Sequence, residues 1–104
     1  MVARPKTVGG LVVTTLGLRK GWRVIRLLTT WAFCIEALGH DPTMAEYVEF
    51  CSESQATAYR DLELFRQVFG DGDPSRLIGQ ARDRIVKEGD EGSAAAVVMG
   101  LPVR

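Results

Sequence analysis

Residues 21–38, GWRVIRLLTTWAFCIEAL, constrain the fold more than any other stretch. At about 100° per residue, Val24, Leu27, Leu28, Trp31, Ile35 and Leu38 fall on one wide face of an α-helix. A stripe that wide needs cover from other elements, so this helix is expected at the centre of the core. Gly39 stands where a C-terminal cap glycine belongs.

Helices to cover it follow in order. Thr43 with Glu46 three residues on has the form of a capping box and opens a helix over about 44–51. Ser52 or Ser54 can cap the next, which runs to Phe69 ahead of Gly70 and carries Ala58, Leu62, Phe65 and Phe69 on one side. Past GDGD, Asp73 is an N-cap with Pro74 at the first helical position. Leu77, Ile78, Ala81 and Ile85 then form a stripe to about Lys87.

The ends are less regular. Residues 1–7 read as a flexible arm, and the β-branched residues between glycines in VGGLVVTTLGL read as a short strand. SAAAVVMGLPVR is either a strand pairing with LVVTT or a loose tail. The expected fold is mainly α: a compact bundle of about four helices containing a helix-turn-helix, with short β segments at the termini as an option. Residues 1–20 would be a basic arm and strand, 21–88 the helical domain, and 89–104 a tail or strand.

With 104 residues there is room for one modest core. A hydrophobic content of 46% with 25% charged residues points to a soluble globular domain. Val8 to Leu18 is too short an apolar run to span a bilayer and has no small-residue cleavage site, so a cytoplasmic protein is expected and no membrane partner. Cys34 and Cys51 have no C-x-x-C spacing and read as reduced core thiols. Trp22, Trp31, Phe33, Tyr47 and Phe50 follow helical spacing and read as packing residues.

Candidates for chemistry are few. His40 adjoins Asp41, but GHDPT reads as a turn and cap rather than a dyad. No Ser-His-Asp set, phosphate-cradling loop or H-E-x-x-H occurs. The expectation is a non-enzyme, with no catalytic residue, metal, cofactor or small-molecule substrate.

Formal net charge is zero, which removes the simplest argument for a nucleic-acid partner. The charges are unevenly spread, however. Arg4, Lys6, Arg19, Lys20, Arg23 and Arg26 precede any acid, whereas residues 31–75 hold nine acids against Arg60 and Arg66. Cations at the start of a helix oppose its macrodipole, so they call for an anionic partner or for pairing with the acidic middle segment.

The stretch TMAEYVEFCSESQATAYRDLELF, residues 43–65, resembles the helix-turn-helix of bacterial repressors. Thr43, Glu46, Ser54, Thr57, Arg60 and Leu62 match its pattern, and Val48 and Ala58 fall at its small or branched apolar positions between the helices. Ser52 stands in place of the usual turn glycine, and Glu53 in place of the apolar residue that plugs the turn. The resemblance implies that the helix over about 54–69 docks in a DNA major groove.

On that helix the outward sector suits base edges. Arg60 can fork onto guanine, Gln55 can bridge adenine, and Ala56 can touch a thymine methyl, so these are the expected base readers. Ser54, Thr57 and Tyr59 at the helix start, with Arg19, Lys20, Arg23, Arg26 and Arg66, are the expected phosphate contacts; Arg4 and Lys6 could extend along a groove. Asp61 and Glu63 oppose the reading, since acids repel phosphate. The expected function is a sequence-specific transcriptional regulator of double-stranded DNA, of a phage, plasmid or other mobile element by its size. A homodimer is expected, joined by residues 8–18 and 94–101 or by the 74–88 helix, because one small module buries little surface. The alternative is a non-catalytic interaction module docking a polymerase, recombinase or replication partner, which neutral charge and the acidic middle favour. RNA binding ranks third, no single-strand motif being visible.

Overall fold

The computed structural model describes residues 7–80. The expectations for Arg4 and Lys6, for Ala81 and Ile85, and for the tail over 89–104 lie outside the described residues. The protein is mainly α, with four helices packed as a bundle among the described residues. They are α1 (Val8–Leu38), α2 (Met44–Cys51), α3 (Gln55–Phe69) and α4, described over residues 74–80.

Local signals set most boundaries. The Thr7 side chain caps α1 by accepting from the Gly10 N–H at 3.0 Å, and Gly39 closes it with a left-handed φ of 77°. Thr43 and Glu46 form the reciprocal capping box of α2. The Asp73 carboxylate accepts from the Ser75 N–H at 2.8 Å, with Pro74 buried at the first position of α4.

Residues 8–16 are helical, which corrects the expected strand and leaves no arm over residues 8–20. Val8 and Val12, four apart, land on one side of the helix and are buried, so packing outweighs β propensity here. At Gly17 the helix breaks, with φ 85° and ψ 170°, a conformation essentially reserved for glycine. The first arm then lies against the second. A Cβ on Gly21 would sit 3.0 Å from the Val13 Cα, so any side chain there would push the two arms apart by a few tenths of an ångström.

The core runs along one face of α1. Val24, Leu27, Leu28, Trp31, Ala32 and Ile35 are buried against Tyr47 of α2, Ala58, Leu62, Leu64 and Phe65 of α3, and Ile78 of α4. Trp31 connects the layers: its ring lies 4.7 Å from that of Tyr47, and its indole N–H donates to the buried Ser75 hydroxyl at 2.8 Å. A buried indole N–H left without a partner is costly, so this bond fixes where α4 begins.

Three aromatics expected to pack do not. Trp22 is 64% exposed and Phe33 49%, and Phe50 is also exposed. Trp22 and Phe33 lie on the side of α1 turned away from the buried row. Leu38, at the end of α1, is also partly uncovered. Cys34 and Cys51 are free thiols, and burial, with the nearby Glu46 and Cys51 charges adding to it, pushes the Cys34 thiol up. No helix among the described residues is long and apolar enough to cross a membrane.

Candidate nucleic-acid interface

The segment that carries the candidate site is α2, three connecting residues and α3. Two devices set the connection. Ser52 takes φ 55° and ψ 28°, the only left-handed non-glycine residue among those described. It adopts the turn geometry that a glycine would take more cheaply. Glu53 then turns toward α1, where its carboxylate pairs with the Arg26 guanidinium. An ion pair occupies the place of an apolar plug.

Ser54 starts α3. Its hydroxyl accepts from the Thr57 N–H at 3.1 Å and donates to the Thr57 hydroxyl at 2.8 Å. The Ser54 proton is therefore used within the cap, whereas the Thr57 hydroxyl, which accepts it, keeps its own proton free to donate to a phosphate oxygen or water. Their main work is to order the first turn.

From that start, α3 is two-sided. Ala58, Leu62 and Phe65 are buried, and Phe69 is partly buried against Phe65, the rings 4.9 Å apart. Gln55, Ala56, Tyr59, Arg60, Glu63 and Arg66 are exposed. The three expected base readers thus stand together on the first turn and a half of α3, uncovered by any described element. Arg66 lies in the last turn, where its charge suits the helix dipole.

The expected phosphate contacts divide. Arg19 and Lys20 are exposed on α1, just past the bend at Gly17. Arg23 and Arg26, by contrast, have partners inside the fold, so the acidic middle segment accounts for both cations. Arg23 lies 2.8 Å from the buried Asp61 carboxylate, and Arg26 meets Glu53. Of the two, the Arg26 side chain stays 61% exposed beside its acid, and that of Arg23 is 37% exposed. The pairs also change the standing of the acids: two carboxylates that would have repelled a duplex are neutralised by α1.

The Asp61–Arg23 pair is the electrostatic weak point. The guanidinium is close but not aligned for a hydrogen bond to the buried Oδ1. Burial raises the Asp61 pKa above the ordinary carboxylate value, and Arg23 offsets only part of that rise. Sequence alone left this pair open between an intramolecular and an external partner. The signal for it was a cation placed against a helix dipole, together with a lone acid on the inner side of α3.

No group of His, Cys, Asp and Glu residues suited to a metal occurs among the described residues. His40 contacts the Asp41 carbonyl at 3.0 Å and lies 3.5 Å from Glu46. Glu46 is held below the usual carboxylate range, first by the Thr43 backbone N–H. This is the chemistry of a turn and cap.

Two substitutions test the geometry. Ser52→Gly removes the strain of a left-handed side-chain residue, and is expected to raise unfolding stability by about 0.5–1 kcal/mol in urea titration. Arg23→Ala leaves the Asp61 carboxylate buried without its cation. A loss of roughly 1–3 kcal/mol is expected at neutral pH, below the value for a fully buried pair because Arg23 is partly solvated. The sign with pH follows from the raised carboxyl: the folded state takes up its proton more readily than the unfolded state, so the deficit shrinks as pH falls through the carboxylate range. A deficit constant with pH would contradict the pairing.

Compared with protein-family models, with curated proteins and with solved structures, the chain matches none.

Proposed function

We propose that the protein is a sequence-specific DNA-binding regulator, in which α2, the Ser52–Ser54 connection and α3 act as a helix-turn-helix and α3 enters the major groove. The observation that carries this reading is the division of α3. Its inner row is anchored on α1, while Gln55, Ala56 and Arg60 are held outward on a rigid, capped helix start. Side chains that read bases must be both exposed and fixed, and a helix braced from behind supplies both.

Arg60 forks onto a guanine edge, Gln55 bridges an adenine, and Ala56 leaves room for a thymine methyl. The uncapped N–H groups of the first turn add partial positive charge facing the phosphates. Arg19, Lys20 and Arg66 are the exposed cations available to neutralise backbone charge. The ion pairs at Glu53 and Asp61 support the reading indirectly, since they quench the negative charge nearest the turn and the inner side of α3. Glu63 remains exposed and would face cytosine N4 or restrain Arg60.

A second reading rests on a specific observation: Arg23 and Arg26 are taken by intramolecular acids, while Phe50 and Tyr59 are exposed beside the turn. A surface with few free cations and two exposed aromatics also suits a protein partner, as in a module docking a polymerase, recombinase or replication protein.

Selection of bound fragments from random genomic DNA at low and moderate salt separates the two. The regulator yields one enriched motif, and no retention at low salt favours the interaction module. On the enriched site Arg60→Ala is expected to cost roughly 1–3 kcal/mol and to relax one base preference, whereas Lys20→Ala weakens all sequences and lowers the salt slope by about one. Equal affinity of wild type and Arg60→Ala would remove Arg60 as a reader.

A further inference from the structure

One face of α1 is apolar and uncovered. Leu18 is 76% exposed, Trp22 64% and Phe33 49%, with Ile25 half-buried between them. Leu18, Trp22, Ile25 and Thr29 are spaced four, three and four apart, the spacing of a helix-pairing seam, and Phe33 extends it by one further turn. At about 100° per residue these five share a sector about 80° wide, with Ile25 at the edge that packs against the core and Trp22 and Phe33 turned away from the buried row. No charged residue interrupts them. Glu36 lies on the same line one turn past Phe33 and ends the apolar seam, while Arg19 and Arg26 flank it, and the long Arg stems extend its apolar width.

We propose that this face pairs with the same face of a second copy, the two α1 helices running antiparallel about a two-fold axis. Charge chooses the occupant and the direction. The second arm of α1 opens with Arg19 and Lys20 and ends with Glu36, so an antiparallel copy sets the basic start of each helix beside the acidic end of the other. A parallel copy would stack like charges. One register satisfies both requirements: with the axis passing between Leu27 and Leu28, Arg19 of each copy lies level with Glu36 of the other, and Trp22 level with Phe33. A surface that complements itself in one register is what an isologous interface requires.

Area agrees with this. The exposed parts of Leu18, Trp22 and Phe33 on two copies amount to on the order of 700 Å², roughly half of what a stable interface buries, with Ile25, Thr29 and the flanking stems to supply the rest. This contact shares only Leu18 with the surfaces expected from sequence, and it does not depend on DNA recognition. If both hold, the dimer takes Arg19 out of the phosphate contacts and leaves Lys20 and the two α3 helices free, because α3 packs on the far side of α1.

Sedimentation of the full chain without DNA across micromolar concentrations tests it. The expected wild-type mass is twice the 11.4 kDa chain. Trp22→Glu is expected to raise the dimer dissociation constant at least tenfold, with helical circular dichroism unchanged, because Trp22 is 64% exposed and lies outside the buried core. Glu36→Lys weakens the dimer, and adding Arg19→Glu to it restores affinity only in the antiparallel register. A wild-type monomer throughout, whether the face stays open or is covered by residues 93–103 of the same chain, overturns the proposal. So does a dimer indifferent to Trp22→Glu. Failure of DNA selection with an intact dimer would leave this seam standing, and loss of the dimer with DNA selection retained would sink it alone.

Discussion

Everything in the fold is referred to Trp31. Its ring lies against Tyr47 of α2, its indole N–H is spent on Ser75 at the start of α4, and its neighbours on α1 receive the inner row of α3. The side chain is 2% exposed, so its polar atom depends wholly on the protein for a partner. That dependence fixes the positions of three helices relative to one. A flat apolar face would have held them together, but without a defined register.

The functional consequence is indirect. Because α2 and α3 each rest on α1, the short connection between them need not provide stability. It can tolerate a serine in a left-handed conformation and a glutamate where an apolar plug would sit, provided Arg26 answers that glutamate. The outer side of α3 is then free to be chosen for what it contacts. Burial also insulates the reactive groups: Cys34 and the Tyr47 phenol are both pushed up in pKa, chiefly by burial, so neither is set up as a nucleophile.

What was legible in the sequence follows the range of the interaction. The Thr43–Glu46 box, the Ser54 cap and the Asp73–Pro74 start are decided by hydrogen bonds across two or three residues, and each is where the local pattern put it. The inner rows of α1 and α3 were legible because a single period generates them. The bend at Gly17 was not, since β-branched residues between glycines look like a strand until Val8 and Val12 have something to pack against. Periodicity groups Trp22 with Phe33 but cannot say that their face lacks cover. Whether Arg23 answers Asp61 or a phosphate is likewise a question of tertiary placement, which spacing does not contain. The outward side of α3 was legible as an exposed face, though not as a partner.

The most direct test of the central claim is a residue-resolved NMR titration of the full chain with short duplex DNA of random sequence, at low salt. If α3 docks in the groove, the resonances of Gln55, Ala56 and Arg60 move first and saturate together, while those of Trp22 and Phe33 on the far side of α1 stay in place. Resonances of α3 that remain unmoved at every duplex concentration would contradict DNA recognition by this helix.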